Sequence, residues 1–258
     1  MNNIDPVPGG TPPPIPPAST GFPGLQKLGE NPEERERIPN PVVAIEAILR
    51  QPRRVMYQLR QPGSGGLIAA MLLVSVVCIL VYGLVVGSFS MGEQLWAAPV
   101  KLVLGMLISA LICLPSLYIF TCLSGSHARL AQMVGLLAGL LMLMTLLLVG
   151  FAPVAWLFSQ STSSIVWMGV LHLVFWFIAI FFGLRFLEAG FSHTQARSSA
   201  GLNTWIIIFV LVVIQMTTAL RPIIGKSNTF LPADKKFFLT HWGDNLSAAT
   251  KTPGNAAD

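Results

Sequence analysis

One stretch of this chain constrains its fold more than any other feature: no Asp, Glu, Lys or Arg occurs between Leu130 and Leu184. Soluble domains carry about 25% charged residues, whereas this chain of 258 residues is 10% charged and 53% hydrophobic. Long apolar segments without charge are typical of helices that cross a lipid bilayer. The composition therefore excludes a water-soluble globular domain and predicts a multi-pass membrane protein.

Five apolar segments have about the length that a helix needs to cross a bilayer. Each is predicted to be an α-helix, because backbone polar groups in the hydrocarbon core must be satisfied within the segment. The predicted spans are residues 67–89, 102–123, 133–158, 165–187 and 204–220, within a membrane domain of residues 66–225. The expected fold class is an all-α integral membrane bundle of five transmembrane helices.

Basic residues predict the orientation of the bundle, because cytoplasmic loops are enriched in Lys and Arg. They precede the first predicted span or follow the second and fourth: Arg50, Arg53, Arg54, Arg60, Arg129, Arg185 and Arg197. We therefore expect an inner-membrane protein of a bacterium with a cytoplasmic amino terminus, and five spans place the carboxyl terminus in the periplasm. This pattern accounts for the net charge of +5, so no nucleic-acid partner is expected.

The two ends of the chain differ in character. Residues 1–39 are rich in proline and glycine and are predicted to form a disordered cytoplasmic arm, since they bury too little apolar surface to offset the ordering entropy. The run from Pro12 to Pro17 fits either a solvated arm or a ligand for an SH3-like groove. Residues 226–258 are predicted to form a tail whose aromatic and basic segment, 229–245, docks on the outer face or on a partner.

Residues 40–62 are predicted to form a basic amphipathic helix before the first span. Asn40 suits its N-cap and Pro41 its first position, and Pro52 is expected to divide it. Two placements remain open: the helix lies in the membrane interface, or it packs on the cytoplasmic face of the membrane domain. The predicted contacts with anionic headgroups are Arg50, Arg53, Arg54 and Arg60.

Small residues four positions apart predict close packing between helices. The predicted helix-packing residues are Gly83, Gly87, Gly105, Ser109, Gly135 and Gly139. The sequence leaves open whether they join helices of one chain or of two chains.

His172 is the ionisable side chain nearest the middle of a predicted span, and intramembrane ionisable residues are candidates for function. It is interpreted either as a neutral histidine bonded to Gln215 or Thr145, or as part of a proton or solute path. Lys101 lies at the edge of a predicted span, where its ammonium is expected to reach the interface.

Catalytic motifs are incomplete. The loop from Leu123 to Arg129 approaches the P-S-G-H element of membrane phosphatases, but Ile214 stands where their lysine is required. The cysteines show neither metal-ligand nor disulfide-framework spacing: Cys78, Cys113 and Cys122. We therefore expect no enzymatic activity, no metal site and no cofactor.

A juxtamembrane segment and a turn carry a family resemblance. Residues 47–55 read A-I-L-R-Q-P-R-R-V, and the Leu123-Ser124-Gly125 turn leads into a Gly-rich third span. Over residues 42–222 the chain resembles the bacterial branch of the Yip1 family of five-span proteins, although the D-L-Y-G-P and G-Y-S motifs are absent. The resemblance implies a non-enzymatic membrane organiser that acts through protein or lipid contacts.

The expected function is thus a scaffold or assembly partner whose arm recruits a cytoplasmic or membrane protein. The alternative is a small transporter or channel subunit that uses His172 and the proline-bent second span at Pro115. Transporters commonly contain inverted repeats, and no such repeat is evident in the sequence, which favours the scaffold.

Overall fold

The computed structural model describes residues 28–90, 94–126, 128–161, 165–194 and 200–219, and within these ranges the chain forms helices and no strands. The helices are α1 (Pro32–Arg35), α2 (Pro41–Arg50), α3 (Pro52–Arg60), α4 (Gly65–Ser90), α5 (Gln94–Leu123), α6 (Leu130–Ser161), α7 (Ile165–Ser192) and α8 (Ala200–Ala219). Four of them, α4 to α7, are long and apolar enough to cross a membrane. The all-helical, multi-pass membrane character predicted from the sequence is therefore confirmed.

Helix α8 corresponds to the predicted fifth span. Its 20 residues extend about 30 Å at the usual helical rise, which matches the thickness of a bilayer core. Its described apolar part, Ala200–Met216, is shorter than the other four, so a fifth crossing stays a prediction.

The five long helices form a ring that is weakly closed between α7 and α8. Helix α4 packs between α5 and α6, α7 packs on α6, α8 packs along α5, and α7 and α8 make few contacts with each other. Helix α6 is the most enclosed, with 61% of its apolar window buried inside the protein against 39% for each of the other three.

Helices α2 and α3 begin at the predicted residues. The Asn40 side-chain oxygen accepts a hydrogen bond from the Val43 N–H at 2.9 Å, and Pro52 begins α3 after a break at Gln51. Six of their residues are buried in the core that they share with α4 and α6: Ala44, Ala47, Ile48, Val55, Met56 and Leu59. Of the two placements left open by the sequence, the structure therefore has the helices packed on the membrane domain.

The prediction of one disordered arm over residues 1–39 is wrong for residues 28–39. This segment contains α1 and packs over α3, with the Glu34 side chain buried. The prediction failed because the contacts that order the segment come from α3, about 20 residues further along the chain. Residues 1–27, with the Pro12–Pro17 run, and the tail over 226–258 lie outside the described residues.

The second span also begins earlier than predicted. Helix α5 starts at Gln94, and Lys101 lies within it with a side chain that is 0% exposed. The expectation that Lys101 reaches the interface is therefore wrong. A single charge does not end a helix, because the long aliphatic stem of lysine packs readily against apolar neighbours.

Candidate functional site

Residues 28–60 form a folded layer on one end of the bundle, which we call the anchoring layer. At its centre the Glu34 carboxylate accepts hydrogen bonds from the Gly29 N–H at 2.5 Å and from Arg53 Nε at 2.6 Å. Gly29 has φ of +89°, a conformation that residues with a side chain rarely adopt. Burial raises the pKa of Glu34, but the hydrogen bonds from Arg53 and Gly29 outweigh it and hold that pKa below its usual value. The carboxylate is therefore charged where α1 meets α3.

A second group of contacts holds the chain that follows α1. The Arg54 guanidinium lies 3.3 Å from a carboxylate oxygen of Glu36 and donates to the carbonyls of Glu36 and Arg37. The Gln58 amide donates to the carbonyls of Arg35 and Glu36. One face of α3 thus supplies hydrogen-bond donors to the backbone carbonyls of residues 35–37, which would otherwise bond to water.

The anchoring layer is also bonded to the end of α7. The Arg60 guanidinium donates to the His193 carbonyl, and the Ser126 hydroxyl, in the turn after α5, donates to the Thr194 carbonyl at 2.9 Å. Burial and the nearby charges of Arg53 and Arg60 lower the pKa of His193, although Glu34 opposes this effect. The lowered pKa favours the neutral form of His193 at pH 7. Helix α3 is thus bonded to the end of α7, which is itself bonded to the turn after α5.

The four arginines predicted to bind lipid have different positions in the structure. Arg53, Arg54 and Arg60 form the internal contacts described above. The Arg50 side chain is 76% exposed and pairs with Glu46, one helical turn away, at 3.1 Å. The sequence reasoning missed the internal partners of these arginines; its only signal was the acidic stretch over residues 30–36.

Arg50 lies beside an exposed apolar stripe on α2. Val42 and Leu49, two helical turns apart, are 73% and 51% exposed, whereas the adjacent face of the helix is buried. Glu46, the partner of Arg50, lies between them on the same exposed face. Two apolar side chains with an exposed ion pair can contact either a membrane interface or a protein partner.

His172, on α7, is 5% exposed and its Nδ1 lies 2.6 Å from the hydroxyl oxygen of Tyr82, on α4. The predicted partners were wrong: Gln215 is exposed, and the Thr145 hydroxyl donates to the Met142 carbonyl. The second ring nitrogen, Nε2, is buried and has no hydrogen-bond partner among the described residues. The arrangement joins α4 to α7 and leaves one imidazole nitrogen available.

Three of the predicted packing residues lie at close contacts between helices of the chain. A Cβ at Gly83 would be 2.5 Å from the Pro99 Cα, and a Cβ at Gly135 would be 2.6 Å from a Leu59 methyl. Gly139 lies against the ring of Phe186, which brings α6 and α7 together. The remaining three are also buried: Gly87, Gly105 and Ser109. Gly135 thus packs against the anchoring layer, a role that its spacing in the sequence did not indicate.

The part of the chain that the structure describes contains no group of three or more His, Cys, Asp or Glu residues placed to hold a metal ion. The cysteines are free thiols: Cys78, Cys113 and Cys122.

Comparison with protein-family models, with curated proteins and with solved structures finds no match to this chain.

Proposed function

We propose that the protein is a non-enzymatic scaffold or assembly partner of the bacterial cytoplasmic membrane, related in character to the bacterial Yip1-like proteins. The observation that carries the proposal is the anchoring layer, whose Glu34–Arg53 ion pair fixes the start of the described chain to one end of the bundle. Residue 28, which follows the proline-rich residues 1–27 in the sequence, is therefore held at a defined place on the bundle. Attachment at a fixed point raises the effective concentration of a short recruiting segment near its target.

The outer face of α2 supplies a second contact surface for such a scaffold. Val42 and Leu49 are exposed next to Arg50, at the end of the bundle from which the arm leaves. We propose that this stripe lies at the headgroup level, with Arg50 contacting anionic lipid. Arg53, Arg54 and Arg60 then serve the same surface indirectly, by holding the anchoring layer in place.

Five crossings, with a cytoplasmic amino terminus and a periplasmic carboxyl terminus, belong to the same proposal. Helix α8 runs along the membrane-spanning α5 in the opposite direction: Gly201 packs against the Phe120 carbonyl, and Trp205 Nε1 donates to the Cys113 carbonyl at 2.8 Å. A helix of about 30 Å beside a spanning helix supports a crossing of its own.

Photo-crosslinking in cells tests the scaffold. A photoreactive amino acid at Val42 is expected to give a discrete protein or lipid adduct from the cytoplasmic side. The matched control is Val154, which is also exposed but lies in the spanning part of α6. Identical adducts from both positions, or none from Val42, would contradict a specific contact surface on α2.

A transporter or channel subunit is the second candidate, and the unpartnered Nε2 of His172 favours it. On a proton path this nitrogen would exchange protons, so His172→Phe would abolish flux in reconstituted vesicles. In the scaffold the same substitution removes only the bond to Tyr82, and partner binding is retained. Full flux in His172→Phe would exclude a transport role for this residue.

A further inference from the structure

Three tryptophans are exposed at the end of the bundle opposite to the anchoring layer, and we call them the tryptophan belt. Trp96 lies near the start of α5, Trp156 near the end of α6 and Trp167 near the start of α7, and they are 74%, 53% and 65% exposed. The other two tryptophans in the described ranges are enclosed: Trp205 is 0% exposed and Trp176 is partly buried. Exposed tryptophan is thus confined, in this part of the chain, to one end of the bundle.

Two contacts define a common height across α4, α5 and α7. A Cβ at Gly83 would lie 2.5 Å from the Pro99 Cα, and the adjacent Tyr82 hydroxyl lies 2.6 Å from His172 Nδ1. Pro99 and His172 are therefore at about the same height in the bundle. The belt members on α5 and α7 precede them along their helices by about 5 Å and about 8 Å respectively.

The third member, Trp156, lies at a similar height. Phe151 on α6 stacks on Phe175 on α7, with ring centroids 4.7 Å apart, and the two helices run in opposite directions. From this contact Trp156 is about 8 Å further along α6, whereas Phe175 is about 5 Å along α7 on the other side of His172. The three members of the belt thus lie within about 5 Å of one another along the bundle.

The chemistry of the belt fits the boundary between hydrocarbon and headgroups, where tryptophan is enriched because its ring is amphipathic. The next exposed charged residue on α7 is Arg185, about 27 Å along the helix from Trp167, which is close to the thickness of a bilayer core. The exposed side chains between these two residues are all apolar: Val174, Phe177, Phe181 and Phe182. The exposed surface of α7 is therefore apolar over about one bilayer core.

We infer that the tryptophan belt lies at the headgroup level of the leaflet opposite to the anchoring layer. The pair of Tyr82 and His172 then lies one to two helical turns beneath those headgroups and not at the centre of the bilayer. The inference does not rest on the proposed scaffold function. For a transporter, it means that His172 is reached from the face of the belt.

Depth-dependent fluorescence quenching tests the belt in the full-length protein. Three variants each keep one belt tryptophan and carry phenylalanine at every other tryptophan position. They are reconstituted in phosphatidylcholine vesicles whose acyl chains are brominated either near the headgroup or near the terminal methyl. Each belt tryptophan should lose more fluorescence to the shallow bromines than to the deep ones. Equal quenching by both, or stronger quenching by the deep bromines, would overturn the inference.

The matched control is Phe177→Trp in a chain without the native tryptophans. Phe177 is 52% exposed on α7, about 15 Å along the helix from Trp167, which corresponds to the middle of the bilayer. The control should lose more fluorescence to the deep bromines. The same depth profile for the control and for Trp167 would overturn the inference.

A second measurement retains the native chain in case the multiply substituted variants do not fold. The protein is labelled with 5-fluorotryptophan, its fluorine resonances are assigned by single substitutions to phenylalanine, and a gadolinium chelate is attached to the lipid headgroups of nanodiscs. The belt resonances should broaden more than the resonance of the enclosed Trp205. Equal broadening would contradict a belt at the headgroups.

The tail over residues 226–258 and a second copy of the chain are the competing occupants. Belt tryptophans that neither bromine position quenches would be covered by protein, which overturns lipid contact. Quenching that appears only after removal of the tail would assign the belt to the tail. Quenching that appears only when the protein is diluted in lipid would assign it to a second copy.

Discussion

Arg53 and Glu34 are 19 residues apart in the sequence and are joined by a contact of 2.6 Å between Nε and Oε1. The glutamate side chain is 7% exposed and the arginine side chain 33%. The pair joins α1 to α3. Through this contact the segment that follows residues 1–27 becomes part of the folded membrane protein.

Breaking this pair should release residues 28–38 without unfolding the bundle. Glu34→Gln or Arg53→Gln removes a charged partner from a buried hydrogen bond, which typically costs about 1–3 kcal/mol. Hydrogen exchange of the protein in nanodiscs should show faster exchange over residues 28–38 and unchanged exchange in α4 and α6. The control is Arg50→Gln, because exposed ion pairs contribute about 0–1 kcal/mol. Equal exchange in all three variants would show that the pair does not hold the segment.

Low pH should release the same segment. Because the pKa of Glu34 lies below its ordinary value of 4.5, the charged pair contributes its full stability above that ordinary value. The contribution is lost as the pH falls through the lower folded value. A spin label at the exposed position Glu33, in a variant without native cysteines, should become mobile below about pH 4.5. In the presence of Glu34→Gln the label should show no such transition; a transition of unchanged size would exclude Glu34 as its origin.

The contact between Gly83 and Pro99 should tolerate no side chain. A Cβ at Gly83 would lie 2.5 Å from a backbone atom of α5, so α4 and α5 must separate, and overpacking of this kind costs about 1–3 kcal/mol. Gly83→Ala should lower the midpoint of thermal unfolding in detergent. Gly66→Ala, in the same helix but with open space around the Cβ, should leave the midpoint unchanged or raise it. Equal midpoints for the two variants would contradict the close approach of these helices.

Reporter fusions should place the two termini on opposite sides of the membrane. Five crossings predict that green fluorescent protein fluoresces at the amino terminus and that alkaline phosphatase is active after residue 258. Four crossings, with α8 failing to cross, would put both termini in the cytoplasm and leave the phosphatase inactive. An inactive phosphatase would therefore show that α8 does not cross the membrane.

The parts of the fold that follow from local chemistry were predictable. Hydropathy located the long helices, and the properties of Asn40 and Pro52 predicted the start and division of the juxtamembrane helices. Contacts between distant residues were not predictable. Nothing local pairs Glu34 with Arg53, or directs His172 to Tyr82 rather than to the other polar residues of neighbouring helices.

The candidate site depended on these distant contacts, and it was therefore predicted only in part. Arg53, Arg54 and Arg60 bond to groups of the protein itself, which the sequence did not indicate, and their contact with lipid stays a prediction. The interface position predicted for Lys101 is wrong because one charge near the end of an apolar segment does not show whether neighbouring helices enclose it, and the bundle does so completely.

Co-purification in mild detergent tests the central claim, recruitment by the anchored arm, most directly. The full chain is compared with a variant that lacks residues 1–27 and keeps α1 intact, and bound proteins are quantified by mass spectrometry. The account predicts a cytoplasmic partner that binds the full chain, is lost from the truncated chain and is displaced by a soluble peptide of residues 1–27. A partner that binds both forms equally, or no partner with either form, would contradict recruitment through the arm.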